Sequence, residues 1–127
     1  SEGSVVIRFK EKRRYLIEFL EVLADFEYQN KFWNQSSALI EPYVDFDMIV
    51  HFLLDDTQLF EDAFSEIGCF LKSKDEAIAL KKLTQLIAEL LEKYGDDLRD
   101  AEYMKVLEWM HIIHDAEQAL IIIKQSD

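Results

Sequence analysis

Apolar residues recur at spacings of three and four along nearly the whole chain, a pattern that predicts helices and an all-α fold. From Arg8 to Tyr28, one stripe carries Tyr15, Leu16, Phe19, Leu20, Leu23 and Phe26, with Glu18, Glu21 and Asp25 off it. This predicts a single amphipathic helix. The pattern loosens from Gln29 to Pro42, where Asn30, Asn34, Gln35, Ser36 and Ser37 suit turns and Phe32 and Trp33 suit anchorage in a core, with room for one short helix. After Pro42, Asp45 or Asp47 can cap a helix running to about Leu54. Asp55, Asp56 and Thr57 can stop that helix and open another, which reaches about Ile67 and ends at Gly68.

Ser73-Lys74-Asp75-Glu76 has the form of a capping box, in which the serine accepts from the fourth residue's amide and the glutamate reaches back. It predicts a helix of about 20 residues with a buried stripe of Leu80, Leu83, Leu86, Ile87, Leu90 and Leu91, stopped by Gly95. Asp96 to Asp100 form a polar connection. A last helical stretch follows from about Ala101 to Lys124, with a break near Lys105 and a stripe of Val106, Trp109, Met110, Ile113, Ala116, Glu117, Leu120 and Ile121. With 3 glycines and 1 proline in 127 residues, the expectation is one domain over residues 1–127. Its architecture is expected to be a single irregular or orthogonal bundle of five or six helices. Residues 1–7 are expected to be disordered or an artificial addition.

Net charge changes the picture. The chain carries -12, and residues 1–14 hold Arg8, Lys10, Lys12, Arg13 and Arg14 against Glu2 and Glu11, so that +3 sits there and -15 on the rest. An acidic body of this kind repels phosphate backbones, so nucleic acid is not expected as a direct ligand. The basic cluster reads as a solvated helix end. Cys69 stands alone in the apolar run Ile67 to Leu71, which excludes an internal disulfide or a cysteine metal cluster and fits an inert thiol in a reduced, cytoplasmic setting. Apolar runs such as Ala119 to Ile123 fall far short of the roughly 20 residues of a membrane span, so no membrane association is expected.

Candidate chemistry is sparse. Glu108 and His111 make one Glu-x-x-His step, whereas a di-iron bundle needs that step twice with two more inward glutamates. His114-Asp115 is an HD doublet, but His51 lies 63 positions upstream and only Asp127 follows, so the spacing of HD phosphohydrolases is not met. Asp47, His51 and Asp55 follow one another at helical spacing without a nucleophile. No enzyme activity, cofactor or metal is expected.

What remains is the stretch between Lys31 and Lys72, which contains no lysine or arginine but holds Glu41, Asp45, Asp47, Asp55, Asp56, Glu61, Asp62 and Glu66. These carboxylates alternate with Tyr43, Phe46, Phe52, Phe60 and Phe64. A merely solvated face normally mixes both signs. The expectation is therefore a surface for a basic protein partner on two short helices and the corner between them, formed by Asp45, Asp47, Asp55, Asp56, Phe60, Glu61, Asp62 and Glu66. The alternative is a structural or scaffold protein, a homo-oligomer burying Trp33, Phe60 or Trp109.

The second half carries a resemblance. Phe70-Leu71-Lys72-Ser73-Lys74-Asp75-Glu76-Ala77 leads into the leucine-rich helix, followed by Tyr94-Gly95-Asp96-Asp97, Tyr103, Trp109 and Ala116 to Leu120. Over roughly residues 45–122 the chain resembles bacterial immunity proteins of the toxin–immunity type, such as those of contact-dependent growth inhibition. The resemblance implies a protein that binds a cognate toxin, often a nuclease with a basic site, and occludes that site without chemistry of its own.

Overall fold

A computed structural model describes residues 5–34 and 43–127, and the chain is all-α. Among these residues the α-helices are α1 Lys10–Leu23, α2 Phe26–Phe32, α3 Phe46–Val50, α4 Leu59–Asp62, α5 Lys74–Tyr94, α6 Asp100–Tyr103 and α7 Trp109–Ser126. A π-helical turn, His51–Asp55, continues α3, and a 3-10 turn, Ala63–Glu66, continues α4. Helix α7 packs against both α1 and α5, while α4 and the 3-10 turn pack on α5. One core joins them, with Leu16, Leu20 and Leu23 of α1 against Leu80, Leu83 and Ile87 of α5 and Trp109, Ile112 and Ala116 of α7. The expected residues Ser1–Ser4, Gln35, Ser36, Ser37 and Glu41 lie outside the described residues. Ile7, expected to be disordered, is buried, and the following backbone is held by Arg8 and Phe9 amides that donate to the carbonyls of Gly68 (3.2 Å) and Cys69 (2.9 Å).

The predicted helix from Arg8 to Tyr28 is two helices, and the reason is local. Helix α1 stops at Ala24, and Asp25 starts α2 by accepting from the Tyr28 amide at 3.0 Å. Gln29, fully buried, then donates through Nε2 to the carbonyls of Val22 (2.8 Å) and Leu23 (3.0 Å). These are among the last carbonyls of α1, which have no intrahelical partner. The Gln29 Oε1 accepts from the Trp109 indole N–H at 2.9 Å. A single amide side chain thus ties the end of α1 to the start of α7.

The last helical stretch breaks near Lys105 as expected, but its buried stripe departs from expectation. The chain breaks after Tyr103 and restarts at Trp109, which sits in an aromatic cluster 5.0 Å from Phe46 and 5.9 Å from Trp33 by ring centroids. With Trp109 fixed in this way, Ile112, Asp115 and Ala119 turn inward while Met110, Glu117 and Ile121 face out, so the buried stripe is rotated from the predicted one.

Helix α5 follows the prediction closely. Ser73 Oγ accepts from the Glu76 amide at 3.2 Å, and Gly95 ends the helix with φ +87, a conformation that favours glycine. The glutamate does not return to Ser73, however. Its Oε1 accepts from the Lys72 amide (2.7 Å), and both its oxygens receive the Arg13 guanidinium, at 3.0 and 2.9 Å. Arg13, expected to be solvated with its basic neighbours, is instead buried in α1 and also donates to the Phe70 carbonyl (2.9 Å) and to Asp127 just past α7 (2.9 Å). Burial would lower the Arg13 pKa, but its bonds and proximity to Glu76 and Asp127 raise it. The charge therefore stays in place.

Removing one member of a buried, bidentate pair strands the other in a low-dielectric interior. Glu76→Ala is expected to lower the unfolding free energy by about 3–5 kcal/mol, read from urea denaturation. The joint change Arg13→Met with Glu76→Leu is expected to cost much less. A loss under about 1 kcal/mol in Glu76→Ala would contradict this account.

Candidate functional site

The acidic stretch folds as expected onto two short helical segments, but its carboxylates have different fates. Asp45 is the N-cap of α3, accepting from the Met48 amide at 2.9 Å, where a carboxylate also suits the helix dipole. Glu66, expected on the surface, is buried, and its side chain accepts from the Gln58 amide at 2.7 Å, closing the corner before α4. It is withdrawn from any binding face because the turn needs an acceptor there. Asp47, Asp55, Asp56, Glu61 and Asp62 are exposed.

The π-helical turn sets the geometry of three of these. Asp56 N–H bonds the His51 carbonyl at 3.0 Å, five residues back, so one extra residue is accommodated while Phe52 and Leu53 stay buried. His51 stands between two carboxylates: its Nδ1–H donates to Asp55 at 2.8 Å, and its Nε2 lies 3.7 Å from Asp47. All three side chains are open to water, Asp47 at 77 % and Asp55 and His51 at 63 %. The hydrogen bond that His51 donates to Asp55 and the charge of Asp47 raise the His51 pKa above its ordinary value.

Among the described residues no lysine or arginine lies within 4.0 Å of a carboxylate of this stretch; His51 is the basic group that does. Cations do reach the segment, but on its backbone. Lys12 of α1 donates to the Asp56 carbonyl at 2.7 Å, and Lys81 of α5 donates to the Phe60 carbonyl while its ammonium lies over the Phe60 ring. Phe60, expected as an anchor, is therefore half-buried and covered by Lys81. The apolar side chains that do stand open here are Met48 and Phe64, 44 % and 52 % exposed.

Two further carboxylates join the face from a distant part of the chain. Asp100, at the start of α6, accepts from the Phe46 amide at 3.1 Å, and a cleft of ≈ 50 Å³ is lined by Asp47, Asp96 and Asp100 beside Phe46 and Tyr103. Burial raises the Asp100 pKa, with Asp45 and Asp47 adding to it, although its bond from Phe46 opposes them. Sequence reasoning read Asp96 to Asp100 as a polar connection. Its density of aspartates was the available signal.

The other sequence candidates resolve differently. Glu108 accepts from Lys93 (2.7 Å) and from the Tyr94 hydroxyl (2.8 Å), bonds that hold its pKa at about 2, while His111 is exposed. No three His, Cys, Asp or Glu side chains among the described residues are grouped to hold a metal. Cys69 is half-buried rather than enclosed, with the Arg8 guanidinium 3.0 Å from its sulfur. Trp33 and Trp109 already lie in the subunit's own core, which removes them as homo-oligomer contacts. No helix among the described residues is long and apolar enough to cross a membrane.

Fold and site define a small all-α domain with an acidic face. The model of a family described as a domain of unknown function, DUF7945, matches residues 7–127, and the chain belongs to that family. No curated protein and no solved structure matches the chain.

An imidazole whose folded pKa is raised gives its stabilisation in full below the unfolded value, about 6.5, and loses it as pH rises through the higher folded value. Proton NMR titration of His51 is expected to give a midpoint above about 6.5, and Asp55→Asn is expected to bring it down. A midpoint in the unaltered chain at or below that value would dissolve the Asp47–His51–Asp55 grouping.

Proposed function

We propose that this chain binds a basic protein partner through the acidic face of α3, the π-helical turn and α4, and that the partner is a toxin domain, a nuclease, which it neutralises by occlusion as an immunity protein does. The carrying observation is a set of exposed carboxylates, Asp47, Asp55, Asp56, Glu61 and Asp62, that no lysine or arginine among the described residues pairs. Unpaired surface carboxylates of one sign raise the rate of encounter with a cationic cleft, and exposed apolar groups beside them, here Met48 and Phe64, supply desolvated contacts. A nuclease cleft binds phosphates with cations, so aspartates held on a helical scaffold can occupy the same positions. Inhibition of this kind is steric and electrostatic and requires no catalysis by the bound chain.

The test ligands are purified basic nuclease toxin domains, screened for binding to the chain, with association of any that binds followed by stopped-flow or surface plasmon resonance. The joint change Asp47→Lys, Asp55→Lys and Asp56→Lys is expected to slow association by about tenfold or more at low salt and by far less at about 1 M, where the screening length is about 3 Å. The same variant is expected to lose protection when toxin and chain are co-expressed. Unchanged association in the triple variant, or no binding by the unaltered chain, would refute the reading.

A further inference from the structure

A second surface lies at the other end of α1. Where α1 hands over to α2, the first half of α7 stands opposite and leaves an open groove of ≈ 740 Å³. Its apolar lining includes Phe26, Met110, Ile113 and Leu120. Phe26 and Met110, both lining the groove, are 46 % and 63 % exposed, and exposed large apolar side chains gathered at one depression mark a candidate binding surface. Both were expected in the buried stripes, and both are released to the surface by specific structural causes. The Asp25 cap redirects the chain at Phe26, and the anchoring of Trp109 rotates α7 so that Met110 turns out.

The rim is of one sign. Glu21, Asp25, Glu27 and Glu117 line the groove, and no basic residue does. Lys124 approaches Glu21 at 3.6 Å, and Asp25 is engaged with the Tyr28 amide, while Glu27 and Glu117 have no ion pair among the described residues. A lining of apolar side chains and carboxylates complements a segment that is apolar on one face and cationic beside it. The groove runs along α7 from Met110 to Leu120, ten residues or roughly 15 Å, the length of about three helical turns.

We infer that this groove docks a basic amphipathic helix of another protein, with apolar side chains on Phe26 and Met110 and lysines or arginines against Glu27 and Glu117. Its openness disfavours a small molecule, which needs most of its surface enclosed. A second copy of this chain would bring a -12 body against an acidic rim. The site is separate from the α3–α4 face, because Lys12, which touches Asp56, and Glu21, on the rim, stand nine residues apart on α1, roughly 14 Å. Methionine suits such a groove because its flexible thioether repacks against varied partners.

The experiment titrates the full chain, isotopically labelled for NMR, with three synthetic 14-residue peptides: a leucine/lysine amphipathic helix, a lysine/serine peptide of equal charge, and a leucine/glutamate helix. Saturable binding of the leucine/lysine helix is expected, with shift changes concentrated at residues 21–27 and 110–120 and affinity at least about tenfold above that of lysine/serine. The leucine/glutamate helix is expected not to bind. Phe26→Ser with Met110→Lys, and separately Glu21→Lys with Glu27→Lys and Glu117→Lys, are each expected to weaken binding about tenfold or more while the circular dichroism melt is retained. The lysine variant of Asp47, Asp55 and Asp56 is expected to leave it unchanged, which separates this site from the toxin-binding reading. Equal binding of the two cationic peptides, shift changes centred on residues 47–62, or indifference to both groove variants would overturn the inference.

Discussion

The fold depends on one buried ion pair, Arg13 with Glu76. The guanidinium joins α1 to the first turn of α5, and its further bonds to the Phe70 carbonyl and to Asp127 bring in the loop before α5 and the residue after α7. Lys72 completes the arrangement, its amide donating to Glu76 and its ammonium to Asp127 at 2.7 Å. Two charges taken out of water repay their desolvation only if nearly every lone pair and proton finds a partner. Both Glu76 oxygens have partners, three bonds in all, and Arg13 leaves only its Nε without one. That demand fixes the relative placement of α1, α5 and α7 more tightly than aliphatic packing alone, which tolerates sliding.

At the opposite end of the bundle Gln29 has the corresponding role. Its amide bonds two carbonyls at the end of α1, Val22 and Leu23, and the indole N–H of Trp109. Around Trp109 the aromatic cluster gathers Trp33 and Phe46, and the Trp33 indole donates to the Val44 carbonyl at 3.0 Å while the Val44 amide donates to the Tyr28 hydroxyl. The chain on both sides of residues 35–42 is thereby held to the core. Helix α3 then begins under two carboxylate caps, Asp45 from its own segment and Asp100 from α6, and so presents the acidic turn in a fixed orientation.

The parts of this arrangement that were legible in the sequence are those decided by neighbours a few residues away. Ser73 and Gly95 delimit α5 because a hydroxyl acceptor and a positive φ are local requirements. Helix α5's stripe follows because a 21-residue helix samples its period many times. Gln29 and the π-helical turn were not legible, since each answers to groups supplied by distant segments: Trp109 for Gln29, and the burial of Phe52 and Leu53 for the turn. Arg13 and Glu76 are an intermediate case. Arg13 lies three residues before Leu16 and Glu76 four before Leu80, so each occupies a position in its helix's apolar register, and two opposite charges in register are a recognisable signal of a buried pair. Of the predicted site, the exposure of Asp47, Asp55 and Asp56 follows from the helical period, whereas the withdrawal of Glu66 depends on the unsatisfied Gln58 amide that only the folded corner creates.

The acidity of the surface follows from where the cations are used. Arg13 and Lys72 are committed to the pair and its extension, Lys12 and Lys81 to backbone carbonyls of the acidic segment, and Lys93 to Glu108. A lysine bonded to a carbonyl supports the chain's path without neutralising a side-chain carboxylate. The fold is therefore braced by the groups that would ordinarily screen its aspartates, and the carboxylates of the π-helical turn are left with His51 as their local counter-charge. A face built in this way has a field that weakens little from internal pairing and responds to pH through the His51 imidazole as well as its carboxylates, with charge on the histidine lowering the net negative potential in acid and its loss restoring it as pH rises.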